Sequence, residues 1–435
     1  MKQKLIALFT TMAIMVGMFA FPVSAAEKKD LSQDIQDTAA YLQTMYDVET
    51  EQPNETSYWD MLYLARAGVE RDNILFKLYR SNIATELHET GKLEYENWDG
   101  TKSESAIYYA ANALALAMIG EDPTNIDGFN LVDKLVSMDR SAVTSLYYTN
   151  LPVILIAATQ FDDEITDKTF AEDIIDVLKT EYNNSKWGAN WGADGPAMVV
   201  AALIDYTDTD PEVKTIVDET VAWLQEQVKA DKMTVSNTAE KVLTALSLAG
   251  PEAVAAANDS TGKNIVDIVL SFQSETTSGA FTYNGSDSYM ATQQGMEAML
   301  AYQRMVDGKV GLYDLSDTPI QQYKQLIEKI DQLPEVIRLE DEATIVALRQ
   351  LYNSLPAAFQ AKVTNIAALE KAEQVIQTLK EVAGSKPDSS KPESKSEDTT
   401  SSHPVPATGD MGVASVVALC GLAGVSIVAL RRKQK

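Results

Sequence analysis

The chain has 435 residues, 36 basic against 63 acidic side chains, a formal net charge of -27 and 45% hydrophobic residues. That length and apolar content suffice for one large core and one small one, while the acidity argues against nucleic acid or an anionic membrane surface as partner. The single cysteine, Cys420, excludes an internal disulfide and a multi-cysteine metal site.

In chain order, Lys2 and Lys4 precede an apolar run from Leu5 to Phe21, and Val23-Ser24-Ala25-Ala26 supplies small residues for cleavage. This is the pattern of a secretory signal peptide over residues 1–26. From about Asp30 to Gly308 two kinds of helical segment alternate. The amphipathic kind is typified by Lys168 to Tyr182, where Phe170, Ile174, Leu178 and Tyr182 recur every four residues. Similar segments lie near Leu31 to Tyr46, Asp72 to Glu89, Ile126 to Met138, Pro211 to Lys229 and Lys263 to Phe272. The other kind carries little or no charge around its circumference: Ala106 to Gly120, Leu151 to Gln160 and Pro196 to Ile204, with less pure members at Ser57 to Val69, Asn237 to Gly250 and Tyr289 to Met305. Such helices need cover on all sides. They recur about every 40 to 50 residues, six times, each preceded by an amphipathic partner, so two concentric layers are expected.

After this region, Ile320 to Leu333, Glu340 to Leu355 and Asn365 to Leu379 read as three amphipathic helices, within residues 316–383, separated by turns at Leu333-Pro334 and Leu355-Pro356. Residues 384–404 are rich in Ser, Pro, Lys, Asp and Glu and predict a disordered linker. The end, 405–435, combines the pentapeptide Val405-Pro406-Ala407-Thr408-Gly409, an uncharged run from Met411 to Leu430 and the basic Arg431-Arg432-Lys433-Gln434-Lys435. As a helix the run measures roughly 30 Å, enough to cross a bilayer core with the basic tail held inside.

Three resemblances attach to these residues. The C-terminal parts resemble the LPxTG sorting signals of Gram-positive surface proteins, with Val405 where the family usually has leucine. The resemblance implies that a sortase cleaves between Thr408 and Gly409 and joins the chain to peptidoglycan, so that membrane contact is confined to the stage before sorting. The six-fold alternation, and above all Tyr289-Met290-Ala291-Thr292-Gln293-Gln294-Gly295-Met296-Glu297 with Gly311-Leu312-Tyr313-Asp314-Leu315, resembles the superfamily of terpenoid cyclases, protein prenyltransferases and the cobalamin carriers. It implies an all-α chain whose residues 27–315 form an (α/α)6 toroid. Residues 316–383, through Leu351-Tyr352-Asn353-Ser354-Leu355 and Val363-Thr364-Asn365, resemble small three-helix spacer modules.

The catalytic sets of that superfamily are not legible. The prenyltransferase zinc site needs cysteine and histidine, and the chain has only His88, His403 and the tail's Cys420. No DxDD spacing occurs; Asp162-Asp163 and Asp208-Thr209-Asp210 are the nearest approaches and read as loop or capping residues. Asp60 and Asp194 are candidate acids for an extracellular glycan-active enzyme, though Asp194 before Gly195-Pro196 also reads as a helix N-cap. What remains is a set of aromatics at the starts of the shielded helices: Tyr58, Trp59, Tyr108, Tyr109, Tyr147, Tyr148, Trp187, Trp191, Phe281, Tyr283 and Tyr289. If those helices run parallel, the rings gather at one end, where they either fill core or stack on a ligand. The expected function is a non-catalytic surface module that binds a small ligand or a host surface molecule, with no metal and no cofactor. The superfamily resemblance adds a corrinoid as one candidate ligand, against which stands the lack of a β-rich segment to close over it.

Overall fold

The computed structural model describes residues 28–46, 57–96, 100–146, 150–186 and 192–384. The predicted signal peptide, linker and sorting signal, including Val405 to Gly409 and the span 411–430, lie outside the described residues. Among those described, no helix is long and apolar enough to cross a membrane.

The chain divides into two compact units between Gln322 and Tyr323, a few residues beyond the expected boundary at 315. In the first, helices run in the order α1 (Ser32–Gln43), α2 (Tyr58–Arg66), α3 (Ile74–Thr90), α4 (Ala106–Ile119), α5 (Leu131–Ser137), α6 (Arg140–Thr144), α7 (Leu151–Gln160), α8 (Thr169–Ser185), α9 (Asp194–Leu203), α10 (Pro211–Lys229), α11 (Ser236–Ala249), α12 (Pro251–Ala255), α13 (Ile265–Leu270) and α14 (Tyr289–Val306). The described residues are thus mostly helical. Two short antiparallel hairpins join them, β1 (Glu94–Glu96) with β2 (Lys102–Glu104) and β3 (Thr282–Tyr283) with β4 (Ser286–Asp287).

Local chemistry sets the helix starts. The side chain of Asn130 accepts from two backbone amides of α5, Asp210 does the same at α10 with Pro211 in the first position, and Asn264 and Ser288 cap α13 and α14. Each satisfies amides that a helix N-terminus leaves without partners. Asp210 therefore has the capping role read from the sequence.

Packing separates the helices into two sets. In α4, twelve residues from Ala106 to Ile119 are buried, and α7 and α9 are likewise covered on nearly every face. By contrast α8 buries one stripe, Phe170, Ile174, Ile175, Leu178 and Tyr182. The shielded helices touch in sequence: α2 on α4, α4 on α7, α7 on α9, α9 on α11, α11 on α14, and α14 back on α2, a closed circuit.

The pairing with the amphipathic helices differs from expectation by one step. Each shielded helix packs chiefly on the amphipathic helix that follows it, as in α2 with α3, α4 with α5, α7 with α8 and α9 with α10. The last, α14, has no successor within the unit and is covered by α1 from the other end of the chain. The Leu31 amide donates to Gln303 (2.7 Å) and the Lys29 amide to the Tyr302 hydroxyl (3.2 Å), while Gln273 donates to Asp34 (2.8 Å).

In the second unit, α15 (Pro319–Asp331), α16 (Glu342–Ser354), the short α17 (Ala357–Gln360) and α18 (Ile366–Gly384) follow. Leu326, Ile330, Ile345, Leu348, Leu369 and Ile376 are among its buried apolar residues. Arg349 grips Glu373 with two parallel hydrogen bonds (2.6 and 2.7 Å), and the Asn365 amide donates to the Ile327 carbonyl (2.7 Å).

The fit of α1 on the last repeat leaves no space at Gly279. Its φ is +81°, and a Cβ there falls 2.2 Å from the Asp37 carbonyl oxygen. Gly279→Ala is expected to lower the unfolding free energy by about 2 to 4 kcal/mol. Gly262→Ala, at φ +91° but in open space, is expected to cost only about 1 kcal/mol. Equal denaturant midpoints for the two variants would disprove the tight docking of α1.

Candidate functional site

The contact between α2 and α14, where the circuit closes, is made by polar side chains spaced one helical turn apart. Asp60 lies in the first turn of α2 with no exposed surface. One of its carboxylate oxygens accepts from the hydroxyls of Tyr46 and Tyr289 (2.8 Å from Tyr289), and the other accepts from the Gln293 amide (2.5 Å), which also donates to the Ser57 hydroxyl (3.0 Å). Burial pushes the Asp60 carboxyl up from its ordinary range, against the pull of these three donors. Both oxygens accept hydrogen bonds, so the buried Asp60 carboxyl is a hydrogen-bonded hub.

One turn further along each helix stand Tyr63 and Glu297. Glu297 is almost fully buried; it accepts from Lys241 of α11 (2.5 Å) and from the Tyr313 hydroxyl (2.7 Å). Burial pushes the Tyr63 and Tyr313 phenols well up, with the Glu297 charge adding to it. Past these, Arg66 donates to the Leu312 carbonyl (2.8 Å) and to Asp317 (2.6 Å), which also receives Arg304 (2.6 Å).

Behind this seam is a cavity with room for about two water molecules. Its walls include Trp59 and Tyr63 of α2, Ile156 of α7, Met198 of α9, and Lys241 and Thr244 of α11. Next to Lys241 in the chain, Glu240 is fully buried and neither of its carboxylate oxygens has a hydrogen-bond partner; Asp194 Oδ1 on α9 is also buried and unpaired. Burial first, then the Glu297 charge, pushes the Glu240 carboxyl up to about 9. Asp194 is the first residue of α9 itself, and its side chain makes no capping hydrogen bond, which corrects the N-cap reading. His88 sits on α3, edge-on to Phe129 with ring centres 5.3 Å apart.

The predicted aromatics separate into three groups. Tyr58, Trp59 and Tyr108 come together: the Tyr58 ring stands edge-on to Trp59 (5.2 Å) and to Tyr108 (5.8 Å), and Trp59 stacks on Tyr63 (6.0 Å). Tyr289, 42% exposed, joins them through Asp60, so the starts of α2, α4 and α14 meet. Tyr283 lies exposed on β3. Tyr109 and Phe281 form the second group: both are fully buried and offer no face to a ligand. The Tyr109 hydroxyl donates to Glu104 (2.6 Å) and accepts the Leu93 amide (3.1 Å). The Phe281 ring is pressed on Gly295, where an added Cβ would lie 2.8 Å from it. Tyr147, Tyr148, Trp187 and Trp191 make the third group and fall outside the described residues.

No family model, curated protein or solved structure matches this chain. What the site can do therefore follows from its own groups. Tyr46, Tyr63, Glu240, Lys241, Gln293, Glu297 and Tyr313 were not among the predicted site residues, although Gln293, Glu297 and Tyr313 stand in the segments that carry the toroid resemblance. A signal existed for three of them: a charged residue on a helix shielded on all sides must find a partner inside, and Glu240, Lys241 and Glu297 are such residues.

Glu240 makes the stability of the fold depend on pH. Its carboxyl releases its proton near 4.5 when unfolded and near 9 when folded, so the folded form alone holds the proton between these values. The stabilisation is complete below pH 4.5 and is lost as the pH rises towards 9. Unfolding free energy is expected to fall by on the order of 3 kcal/mol between pH 5 and pH 9, and Glu240→Gln to flatten that slope. Parallel slopes in denaturant titrations of the two proteins would contradict this assignment.

Proposed function

We propose that the protein is an exported surface protein, fixed to peptidoglycan through Thr408 by a sortase, which displays a non-catalytic (α/α)6 toroid that binds a small ligand. The toroid reading draws support from the closed circuit α2, α4, α7, α9, α11, α14 with amphipathic helices outside it. In this reading the three-helix unit and residues 384–404 hold the toroid away from the membrane.

The observation that carries the binding function is the cluster of Tyr58, Trp59 and Tyr108 at the starts of two shielded helices, where flat faces adjoin helix N-termini. The neighbouring carboxylates Asp60 and Glu297 each accept hydrogen bonds from protein donors on both oxygens. That favours recognition over acid–base chemistry on a glycan. A corrinoid stays a candidate ligand only through the superfamily resemblance.

Native mass spectrometry of the intact protein taken from its own cells is expected to show a retained small molecule, lost in a Tyr58→Ala/Tyr108→Ala variant of unchanged circular dichroism. If no ligand is retained, and capture of a host surface molecule survives loss of both rings, the role is adhesive instead. For the anchor, Thr408→Ala is expected to move the protein from the detergent-insoluble wall fraction to the membrane fraction. Wall attachment that persists in this variant would remove the sortase reading.

A further inference from the structure

Trp59 belongs both to the aromatic cluster and to the wall of the cavity. Ring contacts run without a break from the surface inward. Tyr95 of β1, 38% exposed, meets Tyr108 (6.3 Å between ring centres), Tyr108 meets Tyr58 (5.8 Å), and Tyr58 meets Trp59 (5.2 Å), which stacks on Tyr63 (6.0 Å). Trp59 and Tyr63 line the space that holds about two waters. A flat ligand set against Trp59 therefore has the cavity beside it, and a substituent of that ligand can fill the centre of the circuit. Aromatic ring faces are electron-rich and suit the C–H faces of a sugar ring.

The walls define the substituent. One side is apolar: Pro152, Val153 and Ile156 of α7 with Ala197 and Met198 of α9. The other is polar: Lys241 and Thr244 of α11 with Glu297 and Tyr313. The Lys241 ammonium has three donors and gives one to Glu297 (2.5 Å), whose other oxygen takes the Tyr313 hydroxyl (2.7 Å). The Thr244 hydroxyl donates to the Glu240 backbone carbonyl (3.0 Å), and its oxygen keeps lone pairs with which to accept. The charges of Lys241 and Glu297 offset each other, so this side offers hydrogen bonds to a neutral group and no net charge to an ion. A wholly apolar occupant would strip water from the Lys241 donors and replace it with nothing, which is costly. An acetamido group meets both sides. Its methyl suits the apolar wall, its carbonyl oxygen suits Lys241 and its N–H suits Thr244, in a volume comparable to two waters.

We propose that the protein binds an N-acetylated amino sugar, with the sugar ring against Trp59 and the acetamido group in the cavity, its carbonyl accepting from Lys241. Tyr58, Tyr108 and Tyr95 continue the row outward for further sugar units. This rests on the ligand-binding reading above and names its ligand class.

The test is calorimetry on the intact protein with chitotriose, its N-butanoyl analogue and cellotriose, which has hydroxyls in place of the acetamido groups. Chitotriose is expected to bind at least about tenfold tighter than cellotriose, the gain from one hydrogen bond and one buried methyl. The butanoyl chain is too long for a space of about two waters and is expected to lose that gain. Ala201→Leu, which narrows the cavity from α9, is expected to bring chitotriose down to cellotriose, and Trp59→Ala to weaken both. The butanoyl comparison uses the unaltered protein and so does not depend on either variant folding. The disaccharide of N-acetylglucosamine with N-acetylmuramic acid and N-acetyllactosamine then separate a wall glycan from a host glycan, and preferential binding of either supports the assignment. Equal affinities for chitotriose and cellotriose, or a butanoyl analogue as tight as chitotriose, would overturn it. Retention of a native ligand without an acetamido group, lost with Tyr58 and Tyr108, would in that event leave the broader binding function standing.

Discussion

Everything in the first unit depends on closing α14 against α2 with buried polar groups. Along the circuit from α4 through α7 to α9, the shielded helices are built mainly of buried alanines and other apolar side chains, whose attraction is strong but undirected. The closing contact is different. Asp60, Gln293 and Tyr289 on one turn and Tyr63, Glu297 and Tyr313 on the next fix both the height and the rotation of the last helix relative to the second. A one-turn slip of α14 would leave Asp60 and Glu297 buried without donors, each costing more than a typical surface substitution. Apolar surface supplies the stability here, and the hydrogen bonds select one arrangement from those of similar burial.

The helices were legible because their burial is uniform. Segments shielded all round read as uncharged runs, segments shielded on one side read as four-residue spacings, and α4, α7 and α8 lie where these patterns put them. What composition does not encode is direction around the helix axis when neighbours are chemically alike. Tyr108 and Tyr109 are adjacent tyrosines, yet the first joins the aromatic cluster and the second is locked in the core by Glu104 and the Leu93 amide. The pairing of outer with inner helices was likewise hidden, since each amphipathic helix has a shielded neighbour on both sides in sequence. The contacts of α4 with α5, α7 with α8 and α9 with α10, and the covering of α14 by α1, reveal which side packs.

The chemistry of the interior was the least legible part, for a related reason. Glu240, Lys241 and Glu297 look like ordinary charges on helices of mixed composition, and partners 56 residues apart, as Lys241 and Glu297 are, leave no local spacing to read. Their burial turns ordinary residue types into a site. Satisfied groups at the seam hold the architecture, whereas both Glu240 carboxylate oxygens and Asp194 Oδ1 stay buried without donors.

The docking of α1 on α14 sets the order in which the chain acquires its structure. Leu31, among the first described residues, meets its partner Gln303 at a separation of 272 residues. This contact cannot form until the chain as far as Gln303 is present to fold. Such non-local contacts come late and slowly, because the loop entropy is lost before the contact forms. The contact between α1 and α14 therefore ties the stability of both ends of the unit to each other.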